Sequence, residues 1–289
     1  MDYKTMTDDE YNNALPTFGN NYRLLNTFVM KHTNHLCKTD ERLVKAINNT
    51  ISKQFVLYEE DWNDGDINKY KDGQTTNIII SKKRTYEAAS SYKCKKVAVL
   101  NFANNHSIGG SPYTAGAQEE SLCRTSTLYR CLKNEEQSFY NKHRELGHNP
   151  RFRVWGNGDL IYSPDVVVFK TDESAPKMMP EDKWFKVDVI TMAAPEFSNY
   201  EKVYDFDYGP SVLARMEKVF EVANKQGVEV LILGAWGCGA FHNPPEIVAK
   251  NFKYLCGLYH FDTVEFAVYC RDDDPNNNYN VFKNILLKE

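Results

Sequence analysis

Short apolar runs alternate with a helical pattern along this chain. Residues 97–100, 188–194 and 228–233 are rich in β-branched and aliphatic side chains, which is typical of strands buried on both faces of a sheet. Residues 208–226 carry apolar side chains at helical spacing, between the last two of these runs. Because a strand, a helix and a strand in this order form a parallel pair, the pattern predicts an α/β fold.

The first 73 residues have a mostly helical pattern. Residues 20–35 form one apolar stripe, and Thr39 is placed to cap a second helix. Residues 59–74 are acidic and rich in turn formers, which predicts a loop or linker. We therefore predict a helical N-terminal extension, residues 1–73, followed by a second domain, residues 74–289.

The remaining elements are shorter. Residues 135–151 are charged, so His143 and His148 are expected to be solvated. Residues 160–162 and 166–169 are predicted as two strands, separated by Ser163, Pro164 and Asp165. Further strands are predicted over 77–81 and 263–269, and further helices over 85–89, 244–258 and 280–287.

A polar, glycine-rich segment follows the strand at 97–100. Asn101 and Asn104 lie where the strand ends, and their amides can hydrogen-bond to sugar hydroxyls. Taken alone, both are better explained as turn residues. Gly109 and Gly110 allow the backbone to approach a ligand closely, and consecutive N–H groups can bind a negative substituent.

A carboxylate pair follows this loop. Gln118, Glu119 and Glu120 come immediately before apolar residues at helical spacing, so they lie at the start of a helix that faces the loop. Adjacent carboxylates diverge by about 100° on a helix, so that one can do chemistry while the other holds a ligand or the loop. Taken alone, the pair is explained as a solvated first helical turn.

A second glycine-rich loop follows the strand at 228–233. Gly234, Gly237 and Gly239 stand between this strand and the predicted helix at 244–258, an arrangement that favours binding of a phosphate. Cys238 could instead be a nucleophile whose pKa is lowered by the helix N-terminus. Phe241 is equally explained by core packing. Both loops follow buried strands, so they are expected to meet at one edge of the sheet, where open α/β sheets bind ligands.

The complete pattern resembles the poly(ADP-ribose) glycohydrolase family, specifically its bacterial-type branch. The resemblance rests on Gly109-Gly110-Ser111, the Gln118-Glu119-Glu120 triplet and the segment SLCRTSTLY that follows it. Asn101-Phe102-Ala103-Asn104 is similar to the Asn-Ala-Ala-Asn turn of macrodomains. The similarity continues through residues 187–197 and 231–243, so it covers the chain from about residue 75 onward. It implies a three-layer, macrodomain-like α/β fold with a mixed, mostly parallel sheet and a helical N-terminal extension.

The resemblance also implies an activity, the hydrolysis of ribose–ribose O-glycosidic bonds in poly(ADP-ribose). Glu120 would be the general acid and base, and Glu119 would hold the substrate ribose. The diphosphate would bind at residues 237–241, with Phe241 against the distal ribose. The other implied substrate-binding residues are Asn101, Asn104, Gly109, Gly110, Ser111, Gln118, Gly237, Cys238, Gly239 and Ala240.

One residue departs from the family pattern, because Ser111 stands where the family usually has a third glycine. Two alternatives therefore stay open beside the polymer-cleaving enzyme. One is a hydrolase for ADP-ribose on protein side chains or for an ADP-ribose ester, and the other is a non-catalytic reader of ADP-ribose. The substrate or ligand is accordingly an ADP-ribose polymer or an ADP-ribosylated protein.

Composition limits the remaining possibilities. A net charge of −4 gives no general attraction to DNA or membranes. The seven scattered cysteines contain no Cys-x-x-Cys pair, which favours free thiols in a reducing compartment over disulfides or a zinc module. No run approaches the roughly 18 apolar residues of a membrane span. We expect a soluble, intracellular protein of the cytoplasm or nucleus that uses no metal or other cofactor; the sequence does not indicate an oligomeric state.

Overall fold

A mixed sheet forms the centre of the structure, a computed structural model that describes residues 3–62, 75–149, 152, 156–197, 208–270 and 277–288. Within these residues the sheet has seven strands. They are Phe55–Leu57 (β1), Asn77–Ser81 (β2), Val97–Phe102 (β3), Leu160–Val168 (β4), Phe185–Met192 (β5), Val230–Leu233 (β6) and Thr263–Ala267 (β7).

The strand order is β1-β4-β5-β3-β6-β7-β2. β4 pairs antiparallel with both β1 and β5. The pairs β5/β3, β3/β6, β6/β7 and β7/β2 are parallel. The expected mixed, mostly parallel sheet is therefore confirmed, and the carboxyl ends of β3, β6, β7 and β2 lie along one edge.

Ten α-helices are described in the same residues. They are Asp8–Ala14 (α1), Tyr22–Thr39 (α2), Glu41–Ile51 (α3), Thr85–Ala89 (α4), Gln118–Thr125 (α5), Leu128–Asn134 (α6), Lys142–Leu146 (α7), Tyr208–Lys225 (α8), Pro245–Leu258 (α9) and Asn278–Leu286 (α10). A π-helical segment, Glu136–Asn141, precedes α7, and 3₁₀ turns cover Leu15–Phe18, Glu59–Asp61 and Glu181–Lys183. No helix of the described chain is both long and apolar enough to cross a membrane.

The apolar run of β3 is buried on both faces, as the sequence predicts. Val97 and Val99 pack on the side of α4, α5 and α6, whereas Ala98 and Leu100 pack on the side of α8, α9 and α10. Successive strand residues point to opposite faces, so one continuous apolar run supplies both halves of the core. The result is the expected helix–sheet–helix arrangement of three layers.

The N-terminal segment packs beside this core. Val29 on α2 and Leu43 on α3 are buried in one cluster with Phe169 and Val167, beside β4. The same segment also contributes β1 to the sheet. The predicted domain boundary at residues 73 and 74 falls in the segment 63–74, which lies outside the described residues together with most of the predicted linker.

β4 is one strand, so the prediction of two strands at 160–169 is wrong. A β-bulge shifts the register between Ser163 and Val166, and Asp165 adopts φ 57°. The N–H of Asp165 donates to Asp188 Oδ1 on β5 (2.9 Å). The turn-forming sequence therefore bends the strand at a bulge without ending it.

Two local expectations are also corrected. His143 is fully buried, with Nδ1 2.8 Å from the Phe139 carbonyl and Nε2 3.0 Å from Asn157 Oδ1, while His148 is exposed as expected. Thr39 is the last residue of α2, and Asp40 caps α3 by accepting from the N–H of Arg42 (2.9 Å). A carboxylate one residue later is better placed for the cap because Thr39 bonds back to the His35 carbonyl (3.0 Å).

The cap of α3 gives a stability prediction. Asp40→Ala leaves the first N–H groups of α3 without their side-chain acceptor, so we expect a loss of about 1 kcal/mol in the free energy of unfolding. Asp40→Asn keeps an acceptor oxygen and should lose less. Urea unfolding of both variants and of Thr39→Ala tests the assignment, which is wrong if Thr39→Ala is the more destabilised.

Candidate active site

A cavity of about 540 Å³ lies at the carboxyl edge of the parallel strands. One wall comes from the loop between β3 and α5, residues 103–117, which we call the first glycine loop. The opposite wall comes from residues 234–243, between β6 and α9, which we call the second glycine loop. The two loops therefore meet in one cleft, as the strand order predicts.

Gln118 fixes the start of α5 against β3. Its Oε1 accepts from the N–H of Phe102 (2.9 Å), and its Nε2 donates to the Leu100 carbonyl (2.8 Å) and to Thr85 Oγ1 (3.0 Å). Both N–H hydrogens of this amide and one lone pair of its oxygen are thereby used within the protein. Gln118 lines the cleft, but its amide serves to anchor the helix that carries the two glutamates.

Glu119 is held at both carboxylate oxygens. Oε1 accepts from Asn101 Nδ2 (3.2 Å), and Oε2 accepts from the backbone N–H of Asn104 (2.7 Å). The side chain is almost fully buried. Burial raises the pKa of Glu119 to about 8. The two hydrogen bonds oppose this rise, and the nearby Glu120 adds to it. Loss of hydration disfavours the charged form more than the two donors favour it.

Glu120 is held at only one oxygen. Its Oε1 accepts from the backbone N–H of Ser111 (3.0 Å). Its Oε2 is buried and has no hydrogen-bond partner among the described residues. Only 7% of the side chain is exposed, and it lines the cleft. Of the four carboxylate oxygens of Glu119 and Glu120, this is the one without a described hydrogen-bond partner.

Two of the three glycines of the first glycine loop make room for α5. Gly110 has φ +64°, and a Cβ there would lie 2.4 Å from Glu120 Oε1 and 3.2 Å from Glu119 Oε2. Gly109 has φ +66°, and its Cβ would meet Cys123 Sγ at 2.8 Å. The carboxylates thus diverge less than expected, because both come near Gly110. Gly109 does not line the cleft, so its role is packing.

Asn101 does not contact the cleft, contrary to expectation. It is fully buried, and its Nδ2 donates to Thr191 Oγ1 on β5 (3.2 Å) as well as to Glu119. Asn104 does line the cleft. Its Oδ1 accepts from the N–H groups of His106 and Ser107 (2.9 and 2.8 Å), which is the turn role considered in the sequence. Asn101 therefore positions Glu119, and Asn104 shapes the loop.

Ser111 fits where the family usually has glycine. It is absent from the described residues with positive φ other than glycine, which are Cys94, Asp165 and His242. Its side chain is exposed, and its backbone N–H reaches Glu120. A side chain at this position therefore neither strains the backbone nor prevents the contact.

Hydrogen bonds of the Asn243 side chain stabilise the second glycine loop. Its Nδ2 donates to the carbonyls of Pro195 (2.8 Å) and Gly237 (3.0 Å), while its Oδ1 accepts from the Tyr208 hydroxyl (2.6 Å). Gly237 has φ +74°, and a Cβ there would lie 2.4 Å from Asn243 Nδ2. Gly237 is thus required by both its conformation and its close packing.

The tip of this loop offers backbone donors. The N–H groups of Gly239, Ala240 and Phe241 make no hydrogen bond to another described residue, and all three residues line the cleft. Consecutive unpaired N–H groups favour an anion. The helix N-terminus offers fewer donors than expected, because its N-cap, Pro244, and the first residue of α9, Pro245, have no N–H.

Cys238 does not have the properties of a nucleophile. Its thiol lies 3.6 Å from the Trp236 carbonyl, and the residue does not line the cleft. Burial raises the pKa of Cys238 to about 12, the direction opposite to the one that the nucleophile hypothesis requires. Neither the nucleophile hypothesis nor a direct ligand contact of the side chain is supported by this geometry, and the contact stays a prediction.

Three residues that line the cleft were not predicted from the sequence. Arg84 follows β2 and Tyr269 follows β7, and the Arg84 guanidinium stacks on the Tyr269 ring at 4.3 Å. Asp172 lines the cleft with both oxygens engaged, by the Ser121 hydroxyl (2.9 Å) and the Tyr86 N–H (2.8 Å). The rule that parallel strands present ligand contacts at their carboxyl ends could have located the first two. Among the described residues, no group of three His, Cys, Asp or Glu side chains could hold a metal ion.

The chain matches a known family model over residues 27–171, half of its length. The model is described as microbial-type PARG (poly(ADP-ribose) glycohydrolase), catalytic domain. The matched range contains the first glycine loop and α5, and it ends before the second glycine loop. Among curated proteins, none matches the chain significantly.

Solved structures of similar proteins cover most of the chain. Poly(ADP-ribose) glycohydrolase from Thermomonospora curvata bound to the inhibitor ADP-HPD is 27% identical with a TM-score of 0.75, covering 90% of this chain and 98% of that one. The Deinococcus radiodurans enzyme in complex with ADP-ribose is 29% identical with a TM-score of 0.71, covering 83% and 96%.

The space at Gly110 gives a stability prediction. Gly110→Ala adds a left-handed alanine and displaces Glu120 from the Ser111 N–H, so we expect a loss of about 3 kcal/mol. Gly227→Ala is the matched control, because Gly227 has φ +68° and open space around its Cα, and should lose about 1 kcal/mol. Equal losses in urea unfolding would contradict the proposed crowding at Glu120.

The raised pKa of Glu119 gives a pH prediction. Between pH 4.5, its ordinary value, and about pH 8, the folded chain keeps a proton that the unfolded chain releases. Raising the pH through this window therefore lowers the free energy of unfolding, by on the order of 1–3 kcal/mol for this group. Glu119→Gln should remove this part of the decrease, as measured by urea unfolding at pH 5.5 and 8.5. The same decrease in both proteins would show that Glu119 does not carry the proton.

Proposed function

This chain belongs to the microbial-type poly(ADP-ribose) glycohydrolase family, and we propose that it hydrolyses the ribose–ribose O-glycosidic bond of poly(ADP-ribose) and releases ADP-ribose. The family assignment confirms the resemblance read from the sequence. In this proposal Glu120 is the general acid and base, and the cleft between the two glycine loops holds the ADP-ribose unit whose bond is cleaved.

One observation carries the proposal. Three carboxylates line the cleft among the described residues, those of Glu119, Glu120 and Asp172. Glu119 and Asp172 have both oxygens engaged by protein donors. Glu120 Oε2 is the one carboxylate oxygen of this set without a partner. A group that transfers a proton must reach the substrate with a lone pair or a proton that the protein does not already use.

The proposed reaction uses this oxygen twice. Glu120 Oε2 donates a proton to the leaving ribose oxygen as the glycosidic bond breaks and positive charge develops at the sugar carbon. The resulting carboxylate then accepts a proton from the water that attacks this carbon, which regenerates the acid. Such a sequence differs from glycosidases with two carboxylates on opposite sides of the bond, because Glu119 and Glu120 are adjacent on one helix.

Glu119 is assigned a different task. Burial raises its pKa to about 8, so at neutral pH it is mostly protonated and can donate a hydrogen bond. We propose that it binds a hydroxyl of the substrate ribose and thereby sets the distance between the glycosidic oxygen and Glu120.

The rest of the cleft suits the rest of ADP-ribose. The unpaired N–H groups of Gly239, Ala240 and Phe241 are proposed to bind the diphosphate, and the Phe241 ring the distal ribose. Arg84 and Tyr269 also line the cavity, and we assign the adenosine to these two residues. The proposal of an ADP-ribose ligand is supported by the Deinococcus radiodurans relative, which was solved in complex with ADP-ribose.

Replacement of Glu120 tests the proposal. Glu120→Gln keeps the acceptor for the Ser111 N–H but cannot transfer a proton, so the rate of ADP-ribose release from poly(ADP-ribose) should fall about 10²- to 10⁴-fold, with ADP-ribose binding retained. Glu41→Gln, an exposed glutamate outside the cleft, is the charge-matched control. Release is followed by chromatography, with a mono-ADP-ribosylated protein as a second substrate.

The outcomes separate the alternatives. Cleavage of the mono-ADP-ribosylated protein alone would replace the proposal with a side-chain hydrolase. Binding of ADP-ribose without cleavage of either substrate would leave a non-catalytic reader. Full activity of Glu120→Gln on the polymer would reject Glu120 as the acid and base.

A further inference from the structure

The first glycine loop contains a turn, residues 112–115, in which all four backbone carbonyls lie within hydrogen-bond distance of side-chain donors. The Pro112 carbonyl accepts from Arg124 Nη1 (3.0 Å). The Tyr113 carbonyl lies 2.7 Å from Thr27 Oγ1, whose single hydroxyl hydrogen is also within reach of the Arg23 carbonyl (2.9 Å). Asn26 Nδ2 donates to the carbonyls of residues 114 and 115 (3.3 and 3.0 Å), and Arg124 Nη1 also donates to residue 115 (2.7 Å). Four consecutive carbonyls thus have side-chain donors, two of which belong to α2.

This turn is rigidly connected to Glu120. The N–H groups of Thr114 and Ala115 both donate to the Ser111 carbonyl (3.0 and 2.9 Å). The N–H of Ser111 donates to Glu120 Oε1 on the other side. A shift of the turn therefore moves the one protein donor that orients the Glu120 carboxylate.

The donors are themselves buried and anchored. Asn26 and Arg124 are 6% and 4% exposed. The Arg124 carbonyl accepts from the Thr33 hydroxyl (2.6 Å), and Thr33 Oγ1 accepts from Lys170 Nζ (2.7 Å). Burial lowers the pKa of Arg124 to about 10, and attraction by Glu120 opposes this change. The same helix α2 is thus fixed to both the turn and the end of α5.

From this network we infer that Asn26 and Arg124 are positioning residues for Glu120, and that α2 is part of the catalytic apparatus. The inference rests on the proposed function. Replacing buried ionic side chains by apolar ones of similar volume is often neutral or stabilising, and one role of buried polar groups is to specify a single arrangement. Here the side chains specify the position of the Ser111 N–H, because they bind the carbonyls of the turn that follows this residue.

The position of the three donors, Asn26, Thr27 and Arg124, determines whether their loss changes kcat or KM. The diphosphate is assigned to the second glycine loop, which none of these donors touches. Loss of a donor should therefore misplace Glu120 while leaving the affinity for ADP-ribose nearly unchanged. A misplacement of about 1 Å in a catalytic group can reduce the rate by about 100-fold.

Asn26→Leu tests the inference, with Asn12→Leu as the matched control. Asn12 on α1 bonds to the backbone of Met178 through both Nδ2 and Oδ1 (3.4 and 2.8 Å), so it is the same kind of amide clamp away from the cleft. We expect kcat on poly(ADP-ribose) to fall about 10- to 100-fold in Asn26→Leu, with little change in KM or in the Kd of ADP-ribose. Asn12→Leu should keep the kcat of the unmodified chain.

A second pair of variants guards against misfolding. Thr27→Val removes the donor to Tyr113 with little change of shape, and Thr27→Ser keeps the hydroxyl. We expect a reduced kcat in the first and its recovery in the second. The inference fails if the unmodified chain releases ADP-ribose and neither Asn26→Leu nor Thr27→Val lowers kcat, or if Kd rises in parallel. An unmodified chain that releases no ADP-ribose rejects the proposed function instead, and the inference with it.

Discussion

The hydrogen bond from the Ser111 N–H to Glu120 decides which oxygen of the carboxylate is left without a protein partner. A buried carboxylate needs a donor, because removal from water without one is costly. A second donor would have occupied the remaining oxygen. The first glycine loop supplies one donor only, and it can approach so closely because Gly110 has no Cβ to meet the carboxylate. The neighbouring Glu119 shows the other outcome, because both of its oxygens accept from protein donors. Its proposed role is limited to holding the substrate ribose.

Much of the scaffold around this bond could be predicted from local sequence. The apolar run of β3, the start of α5 at Gln118 and the stripe of α8 each follow from periodicity and from the residues at their ends. The convergence of the two loops followed from the position of each loop directly after a buried strand. These features depend on side chains within a few positions of each other, which is the range over which sequence patterns are informative.

The contacts that arise between distant segments could not be predicted in this way. Asn101 was expected at the ligand, yet its partners are Glu119 and Thr191. His143 was expected in solvent, yet it is enclosed by Phe139 and Asn157. A polar side chain in a loop has the same local pattern whether it meets water, a ligand or another buried group. The roles of Asn26 and Arg124 are unpredictable for the same reason, since the turn they hold is distant in sequence from one of them.

The strand β1 has a consequence for any attempt to isolate the larger part of the chain. β1 pairs with the residues of β4 from Leu160 to Tyr162, and α3 packs over the rest of that strand through Val167. A fragment that began after the N-terminal segment would expose β4 as a free edge with apolar side chains beside it. Such edges recruit strands from other molecules, so the fragment would tend to aggregate. The N-terminal segment therefore protects the solubility of the sheet.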